Sequence, residues 1–337
     1  MSRLHARGLR SARTQAGFSL IEMLVAMVLG LLVVGAAIGI FLSNKQAYNA
    51  TQGLGRVQES SQIAFEMMSR DIREAGANPC DVDLDAGTIV DGSATAVPTG
   101  TNWFMAVTQP LHGFESGGPT HESGTDVIQL LRTADDMRTT TAATTSGGTT
   151  LTFTPGTPAI ASGEPVMICD MKVLGVFRAN GASGGNAASG TLSYGAGAGT
   201  NACAYFPQPN AGACAGAATA YQFPKFATIT ALQGVRWYVR DPDGDASNGA
   251  SLYRQVNSAA AEEVVQGVTG LQFQYLTAGG YVDADSLTTA DAWNAVRAVR
   301  IVLTLRDTER AGTDATGANQ PITRTLENVV ALRSRVL

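Results

Sequence analysis

Few side chains in this sequence have the type and spacing to do chemistry, and the most conspicuous of them is one acid. Glu22 is the only charged residue in the apolar stretch 18–42. A lone carboxylate in hydrocarbon costs roughly 3 kcal/mol at the centre of a spanning helix, so its presence asks for a partner. A second candidate is the loop Asp241-Pro242-Asp243-Gly244-Asp245, with carboxylates at alternate positions, the spacing by which a loop can surround Ca²⁺. A helix–loop–helix calcium site also needs glycine at its sixth position and an acid at its twelfth, and those places hold Ala246 and Leu252. The expected reading is an Asx-rich hairpin turn without a cofactor; the alternative is a calcium site with Asp241, Asp243 and Asp245 as candidate ligands, helped by Asn248. No other cofactor is called for. The three histidines are poorly placed for catalysis or metal binding: His5 lies near the N-terminus, and His112 and His121 flank a glycine-rich turn and read as loop residues. No nucleophile sits in a strand-to-helix elbow. The chain is not expected to be an enzyme.

The element that positions Glu22 is a helix long enough to cross a membrane. Twenty-five residues at 1.5 Å each span roughly 37 Å, against a hydrocarbon core of about 30 Å. Arg3, Arg7, Arg10 and Arg13 precede the run and none lies within it, which orients its N-terminus to the cytoplasm. A secretory signal peptide has a shorter apolar region that ends in a small-residue cleavage site. Here the small residue, Gly17, stands before the run.

The segment Ala16-Gly17-Phe18-Ser19-Leu20-Ile21-Glu22 resembles the processing motif of the type IV prepilins and their pseudopilin relatives. The resemblance implies a leader of residues 1–17, removed on the cytoplasmic side after Gly17 by a prepilin peptidase, and N-methylation of Phe18. It also implies that Glu22, the fifth mature residue, meets the amino terminus of a neighbouring subunit during assembly. Physical chemistry supports that role. A carboxylate beside a new amine in low dielectric gains a charge-assisted hydrogen bond, and any other stagger between subunits leaves it unpaired.

Residues 43–78 continue as an amphipathic half of the same helix. Leu54, Val57, Ser61, Phe65, Met68 and Ile72 recur at intervals of three or four, leaving one stripe for a partner surface. Arg70, Asp71, Arg73 and Glu74 fall on the wetter side of that reading. Gly53 and Gly55 are a weak point at which the helix bends or melts, and Asn78-Pro79 is the expected stop. Residues 79–337 then read as a β-rich periplasmic head. Candidate strands lie at 126–132, 149–153, 165–169, 172–177, 226–231, 234–240, 251–256, 268–277, 296–306 and 325–333. In 296–306, Val299, Ile301, Leu303 and Leu305 share a face suited to packing on the helix. Trp237, Tyr238, Phe273 and Tyr275 read as sheet packing, and Trp103 and Phe104 as core. The fold class is α+β, a pilin-like long helix on an antiparallel sheet with loop insertions. The inserts 139–148, 179–201 and 207–219 are poor in bulky residues and have little to bury.

Four cysteines in a domain placed outside the inner membrane permit two disulfides, with three pairings open. Cys203 with Cys214 would tie a glycine- and alanine-rich loop, leaving Cys80 with Cys169 to pin the end of the helix to a strand. Each bridge would contribute on the order of 2–4 kcal/mol. The chain has 23 basic and 28 acidic residues, net −5, and no basic patch interleaved with aromatics, so direct nucleic-acid binding is not expected.

The size of the head, the Trp237-Tyr238 hairpin, the core Met67-Met68-Ser69-Arg70-Asp71-Ile72-Arg73 and the ending Val330-Ala331-Leu332-Arg333 resemble PilW-like minor pilins. That resemblance implies a subunit that enters type IV pili and helps initiate them in a tip or priming complex. The alternative is a J-type minor pseudopilin of type II secretion. The implied partners are the prepilin peptidase, other minor pilins and the major pilin, the inner-membrane assembly platform and, before assembly, inner-membrane lipid. The implied location is a single pass of the inner membrane with the head in the periplasm, then the filament, at its tip.

Overall fold

The computed structural model describes residues 17, 19–77, 79, 85–88, 99–100, 102–154, 160–179, 190–196, 201–208, 214–242, 244, 249–307, 312–313 and 319–335. The chain divides into two compact units, Met1–Gln52 and Gly53–Leu337. Helix α1, Leu20–Glu74, contributes residues to both. Helical residues continue through Gly53 and Gly55, so the helix does not melt at the expected weak point. The helix ends four residues before Asn78. Gly76 adopts φ +72° just past that end, the left-handed conformation that closes helices, and its N–H donates to Leu131 O at 2.8 Å.

The second unit is built on strands. In chain order the first eight are β1 Asp85–Thr88, β2 Leu111–Phe114, β3 Val127–Thr133, β4 Arg138–Thr139, β5 Thr150–Thr152, β6 Pro165–Cys169, β7 Val173–Arg178 and β8 Thr191–Ser193. The rest are β9 Thr228–Arg240, β10 Ala250–Val256, β11 Glu262–Thr277, β12 Gly280–Val282, β13 Ala298–Arg306, β14 Gly312–Thr313, β15 Asn319–Gln320 and β16 Thr323–Ala331. One short helix, α2 Ala290–Asn294, is capped by the Thr289 hydroxyl, which accepts from Ala292 N. Among the described residues a twelve-stranded sheet runs β1-β7-β6-β9-β10-β11-β13-β16, with β3 and β4 on β9, β2 on β3 and β12 on β11. Its pairings are antiparallel except β1 with β7.

Strand β9 holds the unit together. The sequence reads as two strands there, 226–231 and 234–240, but the structure has one strand of 13 residues. Its first part pairs with β6 and β4, and its later part with β10 and β3. Gly234 is a point of close approach rather than a turn: a Cβ there would lie 2.3 Å from Phe104 Cβ and 2.7 Å from the Trp103 ring.

The helical stripe packs as its spacing predicts. Val57, Ala64, Met68 and Ile72 share one core with Trp237, Leu271, Phe273, Val299, Ile301, Leu303 and Leu305. Asp71 departs from the expectation. It is not on a wet face but 3 % exposed, since positions 64, 68, 71 and 75 continue the apolar stripe. Trp237 Nε1 donates to its Oδ2 at 2.9 Å, and Arg254 donates from Nε to Oδ2 at 2.8 Å and from Nη2 to Oδ1 at 3.1 Å. Trp237 and Arg254 are cross-strand partners on β9 and β10, so the register delivers both donors to one carboxylate. Arg132 Nε lies 3.8 Å from Asp71 Oδ1 and its Nη1 donates to Glu74 Oε2 at 2.6 Å. A second clamp joins Arg56 of α1 to the buried carboxylate of Asp307 at 3.2 Å.

The insertions hold more than loops. Phe153, Phe177, Tyr194, Phe206 and Phe223 are buried together, with Leu192 and Ile229, in a separate aromatic core. Leu192 and Tyr194 come from the 179–201 insert, where β8 pairs with β5. Segment 139–148 buries hydroxyls rather than apolar groups: the Thr144 hydroxyl accepts from Phe223 N at 2.8 Å.

Removing Asp71 strands a guanidinium and an indole N–H in the core. Asp71→Ala is therefore expected to lower unfolding free energy by about 3–5 kcal/mol. In urea titrations of the full chain in detergent, Asp71→Leu combined with Arg254→Met should recover part of that loss.

Candidate functional site

Two places carry the residues that the sequence singles out. The first is the start of α1. The Ser19 hydroxyl accepts from Glu22 N at 3.2 Å and Ser19 O accepts from the same N–H at 3.1 Å, so Ser19 caps the helix and Glu22 stands at its third position. That Ser-x-x-Glu spacing is the sequence signature of a capping box, a signal the sequence reading missed. Negative charge is favoured there by the helix dipole. Among the described residues the Glu22 carboxylate has no hydrogen-bond or ion-pair partner, and the side chain is exposed. The apolar residues that follow, through Leu42, are exposed, and the helix is long and apolar enough to cross a membrane once. At Gly17 a side chain would meet nothing within 4 Å; Phe18 lies outside the described residues.

Residues 12–38 match the family model described as the prokaryotic N-terminal methylation motif. The chain carries a prepilin- and pseudopilin-type methylation motif. The match spans the Gly17–Phe18 junction and Glu22, and it covers 27 of the 337 residues. No curated protein and no solved structure matched the chain. The long helix on a mainly antiparallel sheet is a pilin-like α+β fold.

The second place is the head. Cys203 and Cys214 form a disulfide with Cα atoms 5.2 Å apart. Cys169, buried at the end of β6, is also disulfide-bonded, and Cys80 lies outside the described residues. Asp241 Oδ1 accepts from Gly244 N at 2.9 Å, and Gly244 has φ +71°. Asp243, Asp245 and Asn248 lie outside the described residues. Among the described residues no group of three or more His, Cys, Asp or Glu is placed to hold a metal ion.

His112 is not a loop residue as the sequence reading had it. It stands on β2, its ring 4.7 Å from that of Trp293 and 4.6 Å from that of Phe114, with Nδ1 2.7 Å from Gln109 Nε2. Burial lowers its pKa from 6.5 to about 4. Nearby in sequence, Asp126 is buried at the entry to β3 and accepts from Phe273 N at 2.7 Å. Burial raises its pKa from 3.8 to about 6, the Phe273 bond opposing the rise and the charges of Glu115 and Asp283 adding to it. Both titrate within the packed head.

Their linkages have opposite signs. The His112 contribution is full above pH 6.5 and lost as pH falls towards 4; the Asp126 contribution is full below 3.8 and lost as pH rises through 6. Acidification from pH 7 to 4.5 should thus destabilise Asp126→Asn more steeply than the parent, and His112→Phe less. Each variant should depart from the parent, in opposite directions, by on the order of 1–3 kcal/mol in urea unfolding compared at the two pH values.

Proposed function

We propose that this chain is a filament subunit of the pilin and pseudopilin class, made as a membrane-anchored precursor. The observation that carries the reading is the methylation motif laid over the Gly17–Phe18 junction, with an acid at Glu22 that no described residue of its own chain answers. Hydrolysis of the Gly17–Phe18 peptide bond by a prepilin peptidase releases residues 1–17 and leaves an amine on Phe18, which is then methylated and stays positively charged. Within a bundle of such helices that amine and the Glu22 carboxylate of a neighbour form a charge-assisted pair in low dielectric. Because the pair exists at one axial stagger only, it sets the register between subunits.

The apolar part of α1 holds the precursor in the inner membrane, with the arginine-rich N-terminus in the cytoplasm and the head in the periplasm. Residues 1–17 are the leader, 18–42 the spanning segment, 43–78 the amphipathic half of the helix and 79–337 the head. The elaborate head, with its second core, fits a minor component better than a bulk subunit, in keeping with a PilW-like minor pilin. Its partners are then other minor pilins, the major pilin and the assembly platform. A preassembled minor set lowers the barrier to starting a filament, since the first subunits otherwise lack neighbours to pair their acids.

The test is Glu22→Ala in cells that make the filament. The variant should remain in the inner membrane at parental level and fall at least tenfold in sheared filaments, while Glu22→Asp retains part of the incorporation. Parental incorporation of Glu22→Ala contradicts the register argument. Companions identified in the sheared fraction assign the assembly to a pilus or to a secretion pseudopilus.

A further inference from the structure

The full sequence holds three lysines, Lys45, Lys172 and Lys225, and two of them line one open cavity of the head. That cavity has a volume of about 620 Å³, within the range of ligand-binding clefts. Its walls are the turn between β6 and β7 and the segment 221–228 that leads into β9. Two large apolar side chains stand in water there: Met171 is 96 % exposed and Phe226 is 70 % exposed.

Phe226 is held in a conformation that an aromatic residue rarely adopts. Its φ is +72°, and a bulky side chain in that region is strained by about 1–3 kcal/mol. Such strain persists only where the surroundings over-determine it, and here one buried residue does so. Thr140 O accepts from Phe226 N at 3.0 Å, and Thr140 N donates to Ala227 O at 2.9 Å. The Thr140 hydroxyl donates to Pro224 O at 2.8 Å and accepts from Ala227 N at 2.9 Å. A surface loop with nothing to present has no need of four bonds to hold an exposed phenyl ring outward.

The charges are arranged to match. Lys225 Nζ lies 4.8 Å from the centroid of the Phe226 ring. Asp170 is the one acid among the described lining residues, and its oxygens are taken up internally. Oδ1 accepts from Lys172 N at 2.8 Å and from Val173 N at 2.9 Å, and Oδ2 accepts from the Tyr221 hydroxyl at 2.6 Å. Neither lysine ammonium makes an ion pair among the described residues. In a chain of net charge −5 this is a local reversal of sign.

We infer that this cavity docks an acidic segment of a partner protein, with Lys172 and Lys225 pairing with carboxylates while Phe226 and Met171 cover an apolar side chain between them. A flexible thioether beside a fixed ring suits a peptide whose apolar residues vary. A nucleic acid is disfavoured, because two ammonium groups neutralise two phosphates while the acidic remainder of the chain repels the rest. The proposal rests on the head alone and is independent of how the anchor is processed.

The test uses the full chain in lipid nanodiscs, with empty nanodiscs as baseline. Fluorescence anisotropy is read with a labelled octapeptide alternating glutamate and leucine, its glutamine-for-glutamate counterpart, and a twelve-nucleotide oligothymidylate. The acidic peptide should bind, at least tenfold more tightly than the glutamine peptide. Lys172→Glu with Lys225→Glu should weaken it at least tenfold, and Phe226→Ala about fivefold, with circular dichroism unchanged. Absence of acidic-peptide binding, equal binding of the glutamine peptide, insensitivity to the lysine substitutions, or tighter binding of oligothymidylate would each overturn the proposal.

Discussion

A carboxylate removed from water must be answered by a donor, and two acids of helix α1 bear on that rule, Asp71 buried in the structure and Glu22 exposed in it. Asp71 is answered within the chain. Trp237 and the Nε and Nη2 of Arg254 reach it from adjacent strands, and Arg132 adds positive charge from β3. Burial of such a group is tolerable only with geometry of this quality, and the result is that α1 has one rotational and axial setting on its sheet. The Asp71 carboxylate also holds the Arg254 guanidinium above its ordinary pKa, opposing the effect of burial. Glu22 has no such answer among the described residues. Under the proposed membrane placement its requirement would pass to another molecule, and that is the physical basis of the proposal that the chain is an assembling subunit.

The head extends the same economy of contacts. One long strand, β9, belongs to both halves of the sheet, so the helix-facing core and the aromatic core of the insertions share a backbone ladder. Between them, Trp103, Phe104 and Met105 press onto β9 at Gly234, where only the missing side chain makes room. The turn at 224–227 is fixed by Thr140 from the edge of this framework, which explains how an exposed aromatic ring can be held in a strained conformation far from the helix-facing core.

Much of this was legible in the residues. The length of the apolar run, the position of Glu22 and the stripe of Val57, Ser61, Met68 and Ile72 follow from composition and a 3.6-residue period. The alternation of Val299 to Leu305 follows from a period of two. Three features were not legible, each for a physical reason. Asp71 looked wet because its charge outweighs its position, although spacing from Ala64 and Met68 places it on the buried stripe; its donors Trp237 and Arg254 are more than 160 residues away. Strand β9 was read as two, ending at 231 and resuming at 234, because a glycine in a strand signals either a turn or a close approach, and only the packed partner decides which. The aromatic core was hidden because, although Phe153 and Phe177 lie on expected strands, Leu192, Tyr194, Phe206 and Phe223 are single residues in glycine-, alanine- and threonine-rich sequence that shows no period.

The central claim is that a new amine on Phe18 exists to meet the carboxylate of Glu22 from another chain. Intact-mass and N-terminal fragment analysis of the protein purified from its native membrane tests it most directly. The account predicts a mature chain that begins at an N-methylated Phe18, lighter by residues 1–17. A chain that retains residues 1–17 with Phe18 unmodified would contradict it.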